Sequence, residues 1–236
     1  MGVFGKSYRI SASVIIAGLL ILSTIASLIG YLTADDSESK WGGLLGSLTA
    51  GLIVAIIQFF IAWQEYIQTD KLKKIKLIEI LYNRAIRDKY TEYIKNCNRD
   101  LDVMGVTAVR FFNDFADTST GAPEDATVLL KALDRRVHVR ILLPSDEFLP
   151  DLKKVDSAKV RAKYKELRKY QNLEIRYFNH TAAHSIFRID DTCIIGPVFP
   201  ELESRNTPAL HVMKSSPIAL NYMDYFDSEW KKAKPA

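Results

Sequence analysis

Apolar positions along this chain fall into three patterns, one after another. Ile10 to Leu32 is a run of 23 uncharged residues, and Trp41 to Trp63 is a second run of 23, interrupted only by Gln58. A helix needs about 20 apolar residues to cross the hydrocarbon core of a bilayer. Each run therefore predicts a transmembrane helix, over about 10–32 and 41–64. Strands are excluded, because an open strand in lipid leaves its backbone polar groups unpaired. The second pattern begins after Trp63. Gln64 to Asn96 holds no Pro or Gly, and Leu72, Ile75, Ile78, Tyr82, Ala85, Ile86 and Tyr93 recur at three- and four-residue steps. That period predicts a juxtamembrane helix over 67–98, continuing the second membrane helix.

The third pattern fills residues 99–236, where short alternating runs take turns with amphipathic ones. Strands are predicted at Leu101–Val106, Val137–Leu143, Leu173–Phe178, Ser185–Ile189, Thr192–Ile195 and Leu210–Met213. Helices are predicted at Glu124–Arg135, Ser157–Tyr170 and Ile218–Lys231. Asp190-Asp191 reads as the turn of a hairpin. Strands that alternate with helices predict an α/β or α+β domain, a mixed sheet with helices on its faces. The expected organisation is a membrane hairpin over 1–66, the linking helix over 67–98 and a soluble domain over 99–236.

Charge orients the hairpin. Lys6 and Arg9 precede the first run, and Asp35, Asp36 and Glu38 crowd the link between the runs. Lys71, Lys73, Lys74 and Lys76 follow the second run. Positive flanks stay inside, so both termini are predicted to be cytoplasmic in a two-pass inner-membrane protein. The first run is too long for a cleaved signal segment. Gly43, Ser47, Gly51 and Ala55, four apart, put small residues on one helix face. That face suits packing against the first helix, and self-association into a larger membrane assembly is the sharper alternative. Formal net charge is only +4, from 32 basic and 28 acidic side chains, which argues against a general nucleic-acid binder without excluding one. The two cysteines and four histidines show no metal-ligand spacing, and no Gly-rich phosphate loop follows a strand, so no metal or cofactor is expected.

The segments from about Ile78 to Trp230 resemble half of a phospholipase D-like domain. The resemblance is carried by LDVMGV, LLKALDRRVHVRILLP, HSIFRIDDTCIIGP and the closing PALHVMKSSPIALNYMDYFDSEWKK. Active members of that family use a His-x-Lys-x4-Asp motif twice, with the histidine as nucleophile. Here His184 and Asp191 match the first and last positions, Ile186 stands in place of the lysine, and the motif occurs once. If the domain is active, His184 and Asp191 are its catalytic residues. Loss of the lysine removes a clamp on the transferring phosphoryl group. Arg188 shares a strand face with His184, about 13 Å along, and suits phosphate binding better than chemistry. His180, four residues before His184, joins the candidate ligand set.

The alternatives for His184 run from a backbone-satisfied histidine through phosphate binding to catalysis. The resemblance thus implies a membrane-anchored, non-enzymatic sensor or effector. It would bind a phosphate-bearing small molecule, a nucleotide or a protein, and couple that to the membrane helices, with a homo-oligomer among the expected states. Some small bacterial antiviral effectors have this layout. A phosphodiesterase of the phospholipase D type and a membrane scaffold are the competing functions.

Overall fold

The computed structural model describes residues 12–33, 40–199 and 202–236. Lys6, Arg9, Asp35, Asp36 and Glu38, whose charges set the expected orientation, lie outside the described residues. The chain divides into two compact units, Met1–Lys71 and Leu72–Ala236.

The first unit is a helical hairpin. Helix α1 spans Ala12–Leu32, and α2 starts at Lys40 and runs to Lys74. Val14–Leu32 and Trp41–Ile67 are each long and apolar enough to cross a membrane. Most of their large apolar side chains face outward, Leu19, Leu22, Ile53 and Ile57 among them. The hairpin closes on small and hydroxyl residues. Ser27 Oγ and Thr49 Oγ1 lie 2.9 Å apart and buried. Gly30 faces Leu45, and Gly46 faces the Tyr31 ring.

The second unit is built on one eight-stranded sheet. Its strands are β1 (Leu77–Leu81), β2 (Asp100–Met104), β3 (His138–Pro144), β4 (Leu173–Phe178), β5 (His184–Ile189), β6 (Thr192–Pro197), β7 (Ala209–Met213) and β8 (Lys234–Pro235). The spatial order is β1-β7-β6-β5-β2-β3-β4-β8. Strands β2, β3 and β4 are parallel, and the other pairings are antiparallel.

Helices cover both faces. The first face carries Leu101, Val103, Val139, Ile141, Phe187 and Ile194. On it pack α3 (Arg87–Asn96), α4 (Val109–Phe115), α5 (Val128–Asp134) and α6 (Asp151–Glu166). The second face carries Met104, Leu142, Ile186, Cys193 and Val212, and α7 (Pro217–Lys232) lies across it through Ala219, Met223, Phe226 and Trp230. Helix α7 starts cleanly because Pro217 suits the first turn and Ser216 Oγ accepts from the Ile218 N–H.

The segment after α2 differs from the expected continuous helix over 67–98. Lys76 takes a left-handed backbone (φ 50°), β1 follows, and α3 begins only at Arg87. The run Ile75 to Leu81 is rich in β-branched isoleucine, which favours extended backbone. Pairing along β7 then outweighs the helical period. Lys89 of α3 bonds Glu79 of β1 and ties the two elements together.

Candidate functional site

The hairpin β5–β6 positions the motif residues. Its turn forms because Asp190 adopts a left-handed backbone (φ 45°), which aspartate tolerates better than most residues. Its carboxylate accepts from three backbone N–H groups, those of Asn98, Arg99 and Asp100, each at 2.9 Å. Burial works against its charge, and those N–H groups outweigh burial, so its pKa is lowered. The left-handed backbone of Asp190 makes the turn, and its carboxylate ties that turn to the start of β2.

His184 is the first residue of β5 and is half-buried. Its ring meets Tyr222 and Tyr225 of α7 edge-on, with centroids 5.2 and 5.6 Å away. Asp191 sits at the far end of the hairpin, where Arg99 Nη2 donates to it at 2.5 Å. The length of β5, about 16 Å, separates the two. Ile186, at the lysine position, has no exposed surface and packs beneath α7. His180 lies apart from His184's ring contacts. Its ring lies tilted against Phe178, with centroids 4.4 Å apart, and its Nε2 is 3.0 Å from Glu229 Oε2. Glu229 is held below the usual carboxylate range, first by Lys232, with burial opposing and His180 assisting. The motif residues therefore do not converge.

Arg188 is engaged by acids from β2. Its Nη1 donates to Asp102 Oδ2 at 2.8 Å and its Nη2 to Asp100 Oδ2 at 2.6 Å. Asp102 has no exposed surface. It also takes a two-pronged bond from Arg140, Nε at 2.7 Å and Nη2 at 2.9 Å, while Arg140 Nη1 reaches Asp227 at 2.9 Å. The Arg140 guanidinium rests on the Phe226 and Trp230 rings. Burial opposes its charge, the two carboxylates outweigh burial, and its pKa is raised.

The small-residue stripe also lies elsewhere than expected. A side chain added at Gly43 or Gly51 would meet open space. Ser47 is exposed, Ala55 is half-buried, and the hairpin instead uses the neighbouring face at Leu45, Gly46 and Thr49. His211 is 4% exposed, beneath Tyr93. His138 is exposed. Among the described residues no group of three His, Cys, Asp or Glu side chains is placed to hold a metal ion.

A cleft of about 390 Å³ opens beyond the carboxyl ends of β2 and β3, where parallel β2 meets antiparallel β5. Its lining includes Arg84, Arg87, Tyr90, Arg110, Phe111 and Phe148. His184 is not part of it. Sequence reasoning missed this set, because Arg84 and Tyr90 fall inside the stretch read as one helix. The available signal was Asn83, a turn-former after the apolar run LIEIL; its Oδ1 accepts from the Ala85 N–H.

The arrangement is a three-layer α/β domain with a mixed sheet. No family profile matches the chain, and no curated protein is significantly similar to it. Among solved structures it is similar to TrmBL2, an archaeal chromatin protein, at 15% identity and TM-score 0.44, over 79% of this chain and 70% of that one. It is also similar to Nuc of Salmonella typhimurium, a phospholipase D family member, at 12% identity and TM-score 0.41, over 67% and 96%. The similarity to NucT of Helicobacter pylori is 12% identity and TM-score 0.42, over 63% and 89%.

Proposed function

We propose that this chain is a membrane-anchored sensor or effector whose soluble, phospholipase D-like unit works by binding and not by hydrolysis. The two apolar helices would cross the bilayer with both termini cytoplasmic. A bound ligand would act on them through the chain that joins the units.

One observation carries the non-catalytic part. The motif lysine is replaced by Ile186, fully enclosed under α7, and the guanidinium of Arg188 is already taken by Asp100 and Asp102. Neither residue offers His184 a positive charge for a transferring phosphoryl group. Removing such electrostatic stabilisation costs about 3–4 kcal/mol of barrier. His184, set against two tyrosine rings with Asp191 a strand's length away, also lacks the acid that would orient it.

The test uses the full chain in lipid nanodiscs, wild type beside His184→Ala. Phosphatidylcholine, single-stranded DNA and bis(p-nitrophenyl) phosphate are offered as substrates. No turnover in either protein is the expected result. Turnover by the wild type that disappears in His184→Ala would establish a phosphodiesterase and sink the proposal.

A further inference from the structure

We infer that the cleft beyond β2 and β3 binds a ring-bearing organic phosphate of about mononucleotide size, with Arg84 as the anchor for its anionic group. This rests on the reading of the soluble unit as a binding module, and it places the ligand away from His184.

The argument begins with charge. Arg87 is paired with Asp125 at 2.6 Å, Arg110 with Asp114 at 3.9 Å, and Lys153 with Asp156 at 3.7 Å. Arg84 differs from these three cleft cations. It is 8% exposed, and its side-chain bonds go to neutral oxygens, the Pro197 carbonyl at 3.1 Å and the Thr207 hydroxyl. Its Nε is buried with no partner. Among the described residues no carboxylate pairs with it. A guanidinium held in a dry place without a counter-charge is costly. The frame nonetheless fixes it there. The Arg84 N–H donates to the Arg205 carbonyl at 2.7 Å, and the Thr207 hydroxyl is itself anchored on the Ser204 carbonyl at 2.8 Å. Such a cation suits a ligand that brings the missing negative charge.

The other groups define that ligand. Arg84 and Arg110 both line the cleft, together with Tyr90. Two cations favour a phosphate over a single-charge acid. Tyr90 and Phe111 each stand edge-on to Phe187, at 5.0 and 6.0 Å, and make a firm aromatic wall. Phe148 lines the cleft as well. Aromatic surface of this kind takes a flat ring, and the cleft volume falls in the range of small-ligand sites. The position also follows the rule for open α/β sheets, where ligands bind in the crevice outside the carboxyl ends of the strands.

Calorimetry on the full chain in phosphatidylcholine nanodiscs, with empty nanodiscs as the blank, tests the inference. The probes are adenosine 5′-monophosphate, adenosine and inorganic phosphate. The expected result is binding of the monophosphate, with each fragment at least tenfold weaker. Arg84→Met should abolish binding while leaving the melting temperature equal or higher, since it removes an uncompensated buried charge. If that variant does not fold, Arg110→Gln on the exposed side of α4 decides, with an expected affinity loss of five- to tenfold. Adenosine binding as tightly as its monophosphate would overturn the inference, and so would silence toward the monophosphate at millimolar concentration. Unchanged affinity in a folded Arg84→Met, or in Arg110→Gln, would do the same. Bis(p-nitrophenyl) phosphate turnover in the same samples would overturn only the non-catalytic reading, and it would leave the cleft result standing.

Discussion

Arg188 Nη1 donates to Asp102 Oδ2 at 2.8 Å, joining adjacent antiparallel strands where the two residues are direct register partners. Asp102 accepts from Arg140 on its other side. One buried carboxylate thus holds two guanidinium groups under α7, and the assembly replaces part of an apolar core.

Asp102→Ala should therefore destabilise the soluble unit more than an ordinary core truncation. It removes the shared carboxylate from two arginines in a place with little water, leaving Arg188 only the carboxylate of Asp100 and Arg140 only that of Asp227, and breaking a buried pair from one side costs about 3–5 kcal/mol. Arg188→Met should cost less, because Asp102 keeps its two bonds from Arg140. Urea denaturation of the full chain in detergent, followed by tryptophan fluorescence, ranks the two. A smaller loss for Asp102→Ala than for Arg188→Met would contradict the network as described.

Asp190 makes a separate prediction at the hairpin turn. Asp190→Asn keeps a residue that tolerates the left-handed backbone but removes the negative charge from three N–H bonds. A loss of about 1–3 kcal/mol is expected. The sign of the pH effect follows from the lowered pKa. The unfolded carboxyl takes up its proton first as pH falls, so the stabilisation is complete above an ordinary value near 3.8. It then disappears as pH drops through the folded value. The Asn variant should have a flatter acid limb below about pH 4 in urea midpoint measurements. Equal acid limbs in the two proteins would show that the carboxylate charge contributes nothing there.

Much of this fold was legible in the sequence, for local reasons. The strand LEIRYF and the hairpin at Asp190-Asp191 are marked by alternation and turn residues, and the structure places β4, β5 and β6 there. On the apolar side read for the last helix, Leu220, Tyr222, Met223, Phe226 and Trp230, the last three are buried in α7, Tyr222 is half-buried and Leu220 is 49% exposed. Most of the failures come from partners that lie far along the chain. Strand β1 exists because β7 pairs with it, and a helical period within the segment hides that. Helix α4 carries only seven residues around Phe111, Phe112 and Phe115, too few to show a period. Arg188 looked available beside His184 because its strand face was readable, while the acids of β2 that occupy it were not. Arg84 was hidden for the converse reason, since a missing counter-charge is visible only once the neighbours are known.

The hairpin offers a test that separates its two faces. Ser27→Ala removes a buried hydroxyl contact with Thr49. Such contacts between membrane helices are worth about 0.6 kcal/mol on average. Gly51→Leu, by contrast, adds a side chain to open space and should leave the hairpin intact. Crosslinking between cysteines placed at Gly30 and Leu45, which face each other across the hairpin, reads the hairpin, and light scattering in detergent reads self-association. Lower light-scattering mass in Gly51→Leu with unchanged crosslinking would assign the stripe to contacts between copies. Lost crosslinking in Gly51→Leu would return it to the hairpin.

His211 carries the last prediction. It lies on β7, 4% exposed, with Nδ1 3.2 Å from the Tyr93 hydroxyl and Nε2 buried without a partner. Burial lowers its pKa from 6.5, Glu79 opposes the shift, and Lys89 adds to it. A depressed histidine stabilises the folded state while neutral. That contribution is complete above pH 6.5 and is lost as pH falls from there through the folded value, because the unfolded chain binds the proton first. Denaturation midpoints at pH 7.5 and 5.5 should thus differ in the wild type and differ less in His211→Gln. Equal midpoint differences in the wild type and His211→Gln would show that Glu79 cancels the effect of burial and that the buried ring has no pH role.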